Sequence, residues 1–171
     1  MQYVKIPRER VGVLIGKGSR VKNEVERRTN TKLDIGEDMV SIEGNAMDEW
    51  IAKDIVKAIG RGFNPKTALM LTHKNMTFEM IALSDFGGSE KALNRIRGRV
   101  IGRGGTTKKF IEELMGCWIT VYGKTVGIIG PLDECYSAKE AIVMLASGAS
   151  HGNVYRFLER EKQGILEQKF G

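Results

Sequence analysis

The chain has few of the residues that carry redox or metal chemistry. Its 171 residues include two cysteines, two histidines and three prolines. We expect Cys117 and Cys135 to be small buried thiols, because a zinc site needs paired ligands at short spacing and a disulfide needs an oxidising compartment. No metal and no cofactor are therefore expected. Since no nucleophile–base pair and no phosphate-transfer motif is visible, the sequence indicates a protein that is not an enzyme.

Long apolar runs are also missing. No stretch approaches the roughly 20 apolar residues of a membrane span, and the N-terminal segment MQYVKIPRER lacks the apolar core of a signal peptide. We therefore expect a cytoplasmic protein without a membrane partner. The apolar fraction of 42% and the charged fraction of 28% are typical of a globular chain. The length allows one ordinary domain or two small ones.

Positive charge is in excess and is unevenly distributed. The net charge is +6, but segment 8–28 carries seven basic and three acidic residues, and segment 95–109 carries six basic and no acidic residues. The remainder of the chain therefore has a net charge of −4. We expect the charge of segment 95–109 to be unopposed. Two separate basic patches indicate an anionic partner.

The chain contains an internal repeat. Segment 14–63 aligns without a gap on segment 100–149, and eleven of the fifty pairs are identical. Each half predicts the order strand, helix, glycine loop, helix, strand, strand, helix. Asn64-Pro65 predicts the start of a linking helix, and a polar helix follows the second half. We expect domains at 1–63 and 76–149, a linker helix and loop at 64–75, and a C-terminal helix at 150–171.

A glycine-rich loop lies between two predicted helices at the same position of each half. The loops are Gly16-Lys17-Gly18-Ser19 and Gly102-Arg103-Gly104-Gly105. Glycine allows positive φ and close approach of another backbone, and the start of a helix favours phosphate. Plain helix–helix turns are the alternative, but they do not require a basic second residue in both loops. The sequence GKT at 123–125 is not the end of a P-loop, because Trp118 stands where that motif needs glycine.

The motif V/L-I-G-x-G-G/S, followed by a basic helix and a hairpin, resembles the KH domain. The predicted element order is similar to the eukaryotic-type (type I) topology. The resemblance implies an α+β fold of two tandem domains, each with a three-stranded antiparallel sheet packed against three helices. In this family the loop clamps the backbone of about four single-stranded nucleotides beside an aliphatic groove. The implied groove positions are Ile15, Val21 and Leu33 in the first copy, and Ile101, Lys108 and Ile119 in the second.

The resemblance and the basic patches together give a set of candidate RNA-binding residues in each copy. Ser19 stands where the family pattern has glycine, which predicts that the second copy is the stronger RNA binder. In the first copy the candidates are Gly16, Lys17, Gly18, Ser19, Arg20 and Lys22. In the second they are Arg95, Arg97, Arg99, Ile101, Gly102, Arg103, Gly104, Gly105, Lys108, Lys109 and Ile119.

The whole chain is similar to a narrower group. The linker GFNPKTALML, the motif IRGRVIGRGG, the hairpin ending VGIIG and the tail VYRFLER resemble archaeal two-KH proteins related to the eukaryotic small-subunit assembly factor "partner of Nob". That likeness implies single-stranded RNA binding in small-subunit assembly or rRNA 3′-end maturation. The implied RNA partner is small-subunit rRNA near its 3′ end. The implied protein partner is a processing endonuclease, a dimethylase or a translation factor.

Two alternatives to this function stay open. One is a general KH RNA-binding regulator, and the other is a scaffold that docks a protein through one copy or through an exposed C-terminal tail. An RRM is a poor alternative, because it stacks bases on a cluster of strand aromatics. Here Trp118 and Tyr122 lack such a cluster.

Overall fold

The computed structural model describes residues 1–171 and divides into two compact units, Met1–Met76 and Thr77–Gly171. The first unit holds a three-stranded sheet in the order β1-β3-β2, with both strand pairs antiparallel. Its elements are β1 (Gln2–Lys5), α1 (Arg8–Ile15), α2 (Arg20–Thr29), β2 (Lys32–Ile35), β3 (Met39–Glu43), α3 (Ala46–Gly60) and the short α4 (Pro65–Ala68).

Polar side chains fix the helix ends of the first unit. Asn45 caps α3 by accepting a hydrogen bond from the Asp48 N–H at 2.9 Å, and Asn64 caps α4 in the same way through the Thr67 N–H. At the other end of α3, the Arg10 guanidinium donates to the carbonyls of Ile59 and Phe63, both at 2.8 Å. Ile59 lies in the last turn of α3, where carbonyls have no i+4 partner within the helix, and Phe63 follows that helix.

The second unit repeats this plan and adds a helix. Its sheet has the order β4-β6-β5, with β5 and β6 antiparallel. Its core contains side chains from every layer, among them the fully buried Ile111, Ile128 and Ile142. The elements are β4 (Met76–Ala82), α5 (Glu90–Ile101), α6 (Thr106–Met115), β5 (Trp118–Tyr122), β6 (Thr125–Pro131), α7 (Leu132–Ala146) and α8 (His151–Phe170).

The 86-residue repeat in the sequence is also a repeat in the structure. The starts of α2 and α6, of β2 and β5, and of α3 and α7 all lie 86 residues apart. Strand register follows the same offset, because Leu33 pairs with Ile42 and Ile119 pairs with Ile128. The predicted α+β fold, with a strand-helix-helix-strand-strand-helix order in each half, is therefore confirmed. The boundaries after 63, 75 and 149 stay predictions.

The C-terminal helix is not an exposed tail. α8 packs against α6 and α7, and Val154, Leu158 and Ile165 are buried in the core of the second unit. Near its end, Lys169 donates to the buried carboxylate of Glu134 at 3.0 Å. The apolar residues seen in the sequence of this helix form the stripe that packs inward, so a scaffold that uses a free tail is not what this chain has.

Both thiols of the second unit are buried and unpaired, as expected from the sequence. Burial raises the pKa of Cys117 and of Cys135 to about 12 in each case, because the thiolate would lose its hydration. No helix has both the length and the apolar character needed to cross a membrane.

Candidate nucleic-acid interface

The two glycine loops follow the same backbone path. Gly16 has φ 73° and ψ 172°, and Gly102 has φ 78° and ψ 169°. The third residue of each loop is left-handed, with φ 61° at Gly18 and 63° at Gly104. The fourth is left-handed as well, although it is Ser19 in one loop and glycine in the other. Serine in place of glycine therefore leaves the path unchanged, at a backbone cost of about 1 kcal/mol.

The first and third glycines of each loop have different roles. A Cβ on Gly16 would lie 2.5 Å from Val21 Cγ2, and one on Gly102 would lie 2.2 Å from Thr107 Oγ1. A Cβ on Gly18 or Gly104 would have no protein atom within 4 Å. The first glycine thus lets the loop pack on the next helix. The third one faces open space where the backbone of a ligand can approach.

Most of the basic residues around the second loop already have partners within the protein. Arg97 donates to the Gly123 carbonyl at 3.2 Å and to Asn94. Arg99 donates to the carbonyls of Leu145 and Ala149 and so caps α7. The guanidinium groups of the exposed Arg95 and Arg103 form no hydrogen bond or ion pair within the protein.

Each of the two lysines of α6 forms an ion pair with a glutamate one helical turn further along the same helix. Lys108 lies 3.2 Å from Glu112, and Lys109 lies 4.0 Å from Glu113. The prediction that the charge of segment 95–109 is unopposed is therefore wrong. Glu112 and Glu113 stand just beyond the end of that segment, but they face it because residues four apart share one side of a helix.

The first loop has more free charge than its sequence indicated. Lys17, Arg20 and Lys22 make no ion pair within the protein. Glu24 accepts from Arg27 at 2.8 Å and from Arg28 at 2.9 Å. The hydrogen bond from Arg27 is the main cause that lowers the pKa of this carboxyl. The acidic residue nearest the loop is thus neutralised by arginines of its own helix.

The apolar residues at the predicted groove positions are buried or half-buried, and one position changes. Leu33 and Ile119 are buried on the edge strands, and Ile15, Val21 and Ile101 are half-buried. The structural repeat places Thr107 at the position of Val21, whereas Lys108 is equivalent to Lys22. The buried Thr107 belongs to this set and was not found from the sequence.

Two glutamates that hold the groove together were also missed. Glu26 of α2 accepts a hydrogen bond from the Leu33 N–H at 2.8 Å, and Glu112 of α6 accepts one from the Ile119 N–H at 2.9 Å. Each contact ties the edge strand of its sheet to the helix that follows the loop. The signal was available, because this pair is one of the eleven identities of the repeat.

A largely polar groove, which the predicted apolar positions do not line, runs from each loop along the next helix. The groove of the first unit has a volume of about 650 Å³ and is lined entirely by polar residues and glycine: Lys17, Gly18, Arg20, Asn23, Glu24 and Arg27. That of the second has about 500 Å³ and is lined by Gly105, Lys108, Lys109, Glu112, Glu113, Cys117 and Trp118. No group of three or more histidine, cysteine or acidic side chains is placed to hold a metal ion.

Two family models match the chain. Residues 77–163 match a model described as a eukaryotic-type KH domain (KH-domain type I). Residues 1–58 match a model described as a KH domain. The two matches fall in the two units that the structure separates, and each contains one of the glycine loops.

Known proteins agree with these matches. A KH domain-containing protein of Methanocaldococcus jannaschii is 44% identical over 99% of this chain and 78% of its own length. The pre-rRNA-processing protein PNO1 of Chaetomium thermophilum is 33% identical over 61% of this chain, which spans only 42% of that longer protein. A chain in the crystal structure of an a/eIF2alpha-aDim2p-rRNA complex from Pyrococcus horikoshii is 46% identical, with a TM-score of 0.87 over 95% of this chain and 94% of that one. With one KH copy in each unit, this chain belongs to the two-KH-domain family of PNO1 and archaeal Dim2p.

Proposed function

We propose that this chain binds single-stranded RNA through its glycine loops and acts in the assembly of the small ribosomal subunit, on rRNA near its 3′ end. The observation that carries the proposal is the pair of loops with one backbone path, a basic second residue and open space at the third glycine. Support comes from a relative named for pre-rRNA processing and from a similar chain crystallised in a complex with rRNA.

The loop and the start of the next helix form the phosphate site. The first N–H groups of α2 and α6, those of Arg20 and Thr106, donate to the loop carbonyls of Lys17 and Arg103. The positive end of the helix dipole still favours an anion at this end of each helix. Lys17 and Arg103 are exposed at the loop tips and can approach a phosphate. Because glycine at 18 and 104 leaves no side chain in the way, the RNA backbone can lie directly on the loop.

Apart from the apolar Ile101 and Ile119, the candidate residues fall into three groups by what they do in the fold. Gly16, Gly18, Gly102, Gly104 and the fourth residues Ser19 and Gly105 shape the loops, while Lys17, Arg20, Lys22, Arg95 and Arg103 are the free cations. The remaining cations are Arg97, Arg99, Lys108 and Lys109, which hold internal contacts. We assign Arg99 to capping α7, so that it supports the loop without touching RNA.

The proposal includes no catalytic step. The complex from Pyrococcus horikoshii also contains a/eIF2alpha, and we propose a translation-factor subunit as a protein partner of this chain. That partner can be tested by titrating the purified factor subunit into the chain in a calorimeter. Absence of binding at micromolar concentrations would remove the partner and leave the RNA function standing.

The RNA function can be tested with a labelled single-stranded RNA that copies the 3′ end of small-subunit rRNA. We expect the anisotropy to rise on addition of the full chain. The affinity should fall with salt at a log–log slope near −3, from about four phosphates at roughly −0.7 each. The same sequence annealed to its complement should bind more weakly, because the groove accepts unpaired bases. Equal affinity for the duplex, or a slope of zero, would contradict the proposal.

A further inference from the structure

Trp118 is an exposed aromatic ring at the start of an edge strand. Trp118 is 40% exposed, while the next residue, Ile119, points into the core and is 3% exposed. β5 has a hydrogen-bonded neighbour on one side only. An indole ring is a large apolar surface to leave in water, since burying it would stabilise the fold.

The ring lies in the groove that begins at the second glycine loop. The helical side of this groove is a single stripe with the spacing i, i+3, i+4, i+7 and i+8, from Gly105, which directly precedes α6, to Glu113. At 1.5 Å per residue, that stripe is about 12 Å long. Trp118 and Cys117 complete the lining. A strand of RNA whose backbone lies on the loop therefore has an indole ring within the same groove.

The charges of the groove are balanced. Two lysines and two glutamates line it, and they pair as Lys108–Glu112 and Lys109–Glu113. A phosphate would have to separate these pairs and would meet two carboxylates. A nucleobase is neutral and flat, presents hydrogen-bond donors and acceptors at its edge, and stacks on aromatic side chains. The groove thus suits a base, whereas the loop suits the phosphate.

The first unit lacks this feature. Lys32 stands at the position equivalent to Trp118, at the start of β2. The groove of that unit contains no aromatic ring. The indole therefore distinguishes two sites that otherwise share their loop, their helix and their edge strand.

From this arrangement we infer that Trp118 stacks on one base of the RNA strand that the loop 102–105 clamps. The inference rests on the proposed function and adds to it a base-contacting residue that the second unit has and the first does not. It predicts that the second unit gains affinity from a ring–ring contact that salt does not screen, and that the first unit gains none.

Fluorescence can test the stacking directly, because the chain has only two tryptophans, Trp50 and Trp118. In a Trp50→Phe variant, Trp118 is the sole indole. We expect its emission to be quenched in step with the anisotropy of the labelled RNA. A Trp118→Phe variant, which reports on Trp50 of the first unit, should show no comparable quenching.

Affinity gives a second readout. We expect Trp118→Ala to weaken RNA binding about tenfold at constant salt slope, and Trp118→Phe to keep most of the affinity because it keeps a ring. Trp50→Ala is the matched control, since it removes an exposed tryptophan of the other unit and should leave the affinity unchanged. Circular dichroism of each variant confirms that it is folded.

Three outcomes would overturn the inference. RNA binding without quenching in the Trp50→Phe variant would show that no base reaches the ring, and the proposed function would stand. Unchanged RNA affinity in folded Trp118→Ala would also show that no base stacks on the ring. The proposed function would stand, and the exposed ring would then be a candidate contact for a protein partner. Absence of RNA binding in the unsubstituted chain would overturn the inference and the proposed function together.

Discussion

The two units use one backbone and place different side chains on it. Their loops agree within a few degrees at the first glycine, and their edge strands are held by glutamates 86 residues apart. Yet the first loop ends in a left-handed serine and stands among free cations, whereas the second ends in glycine beside paired charges and a tryptophan. The comparison shows that the geometry of a phosphate clamp and the chemistry of its surroundings vary separately.

The arginines that cap α3 and α7 show the same separation between a conserved geometry and the residue that provides it. Arg10 and Arg99 donate to carbonyls 86 residues apart, those of Ile59 and Phe63 in one unit and those of Leu145 and Ala149 in the other. The two donors are 89 residues apart, so they do not align in the repeat. The fold requires that the end of α3 or α7 is capped. Arg99 lies three positions further along α5 than the equivalent of Arg10, and its guanidinium still reaches the end of α7.

The largest effect is expected from the first glycine of the second loop. Gly102→Ala should lower the free energy of unfolding by at least about 2 kcal/mol, because its Cβ would lie 2.2 Å from Thr107 Oγ1 and φ is 78°. Gly16→Ala should have a similar effect in the first unit. Urea denaturation followed by circular dichroism measures both.

Gly104→Ala, at the third residue of the same loop, is the control for Gly102→Ala. Its Cβ would meet no protein atom within 4 Å, so only the left-handed backbone should cost stability, about 1 kcal/mol. If Gly102→Ala and Gly104→Ala were equally stable, the distinction between a packing glycine and a glycine that faces the ligand would be lost.

Sequence alone predicted the fold well because the repeat and the hydrophobic periodicity both depend on local spacing. The predicted element order recurs in both units, and Asn64-Pro65 starts a helix as expected. The state of the charges could not be predicted in this way. The contacts of Arg97 and Arg99 go to carbonyls far along the chain, and a count of acidic residues in a window does not detect a carbonyl acceptor.

The second prediction concerns RNA affinity and asks which loop dominates. Gly104→Asp with Arg103→Asp should weaken RNA binding at least about tenfold, near 1.4 kcal/mol, because it places carboxylates where phosphate must lie. Gly18→Asp with Lys17→Asp should weaken it less, since the second loop has the full glycine pattern. Fluorescence anisotropy measures both pairs.

This comparison separates backbone from charge. The free cations around the first loop, Lys17, Arg20 and Lys22, are at least as numerous as those around the second. If charge decides the affinity, the first-loop pair will show the larger loss, and the assignment of the stronger site to the second unit will be wrong. Both pairs should remain folded, because a Cβ at either third glycine has free space.

A third prediction exchanges the fourth loop residues. Ser19→Gly should stabilise the first unit and Gly105→Ser should destabilise the second, each by up to about 1 kcal/mol, since both positions are left-handed. If the serine also hinders the RNA backbone, Ser19→Gly will raise RNA affinity as well. Thermal unfolding and anisotropy distinguish the two effects. A loss of stability on Ser19→Gly would contradict the backbone argument.

The last prediction uses the thiols, which occur only in the second unit. Burial raises the pKa of both Cys117 and Cys135 to about 12, while a thiol in an unfolded chain has a pKa near about 8.5. Their protonated form therefore stabilises the second unit fully below about pH 8.5, and this contribution declines as the pH rises toward 12. At pH 8, Ellman's reagent should react with the native chain at least about 100-fold more slowly than with the urea-unfolded chain, because the thiolate is the reactive form.

In the single-tryptophan variants, raising the pH from 8 to 10 should lower the urea midpoint reported by Trp118 more than the one reported by Trp50. Rapid reaction of the native thiols, or equal shifts of the two midpoints, would contradict the assignment of this pH dependence to the second unit.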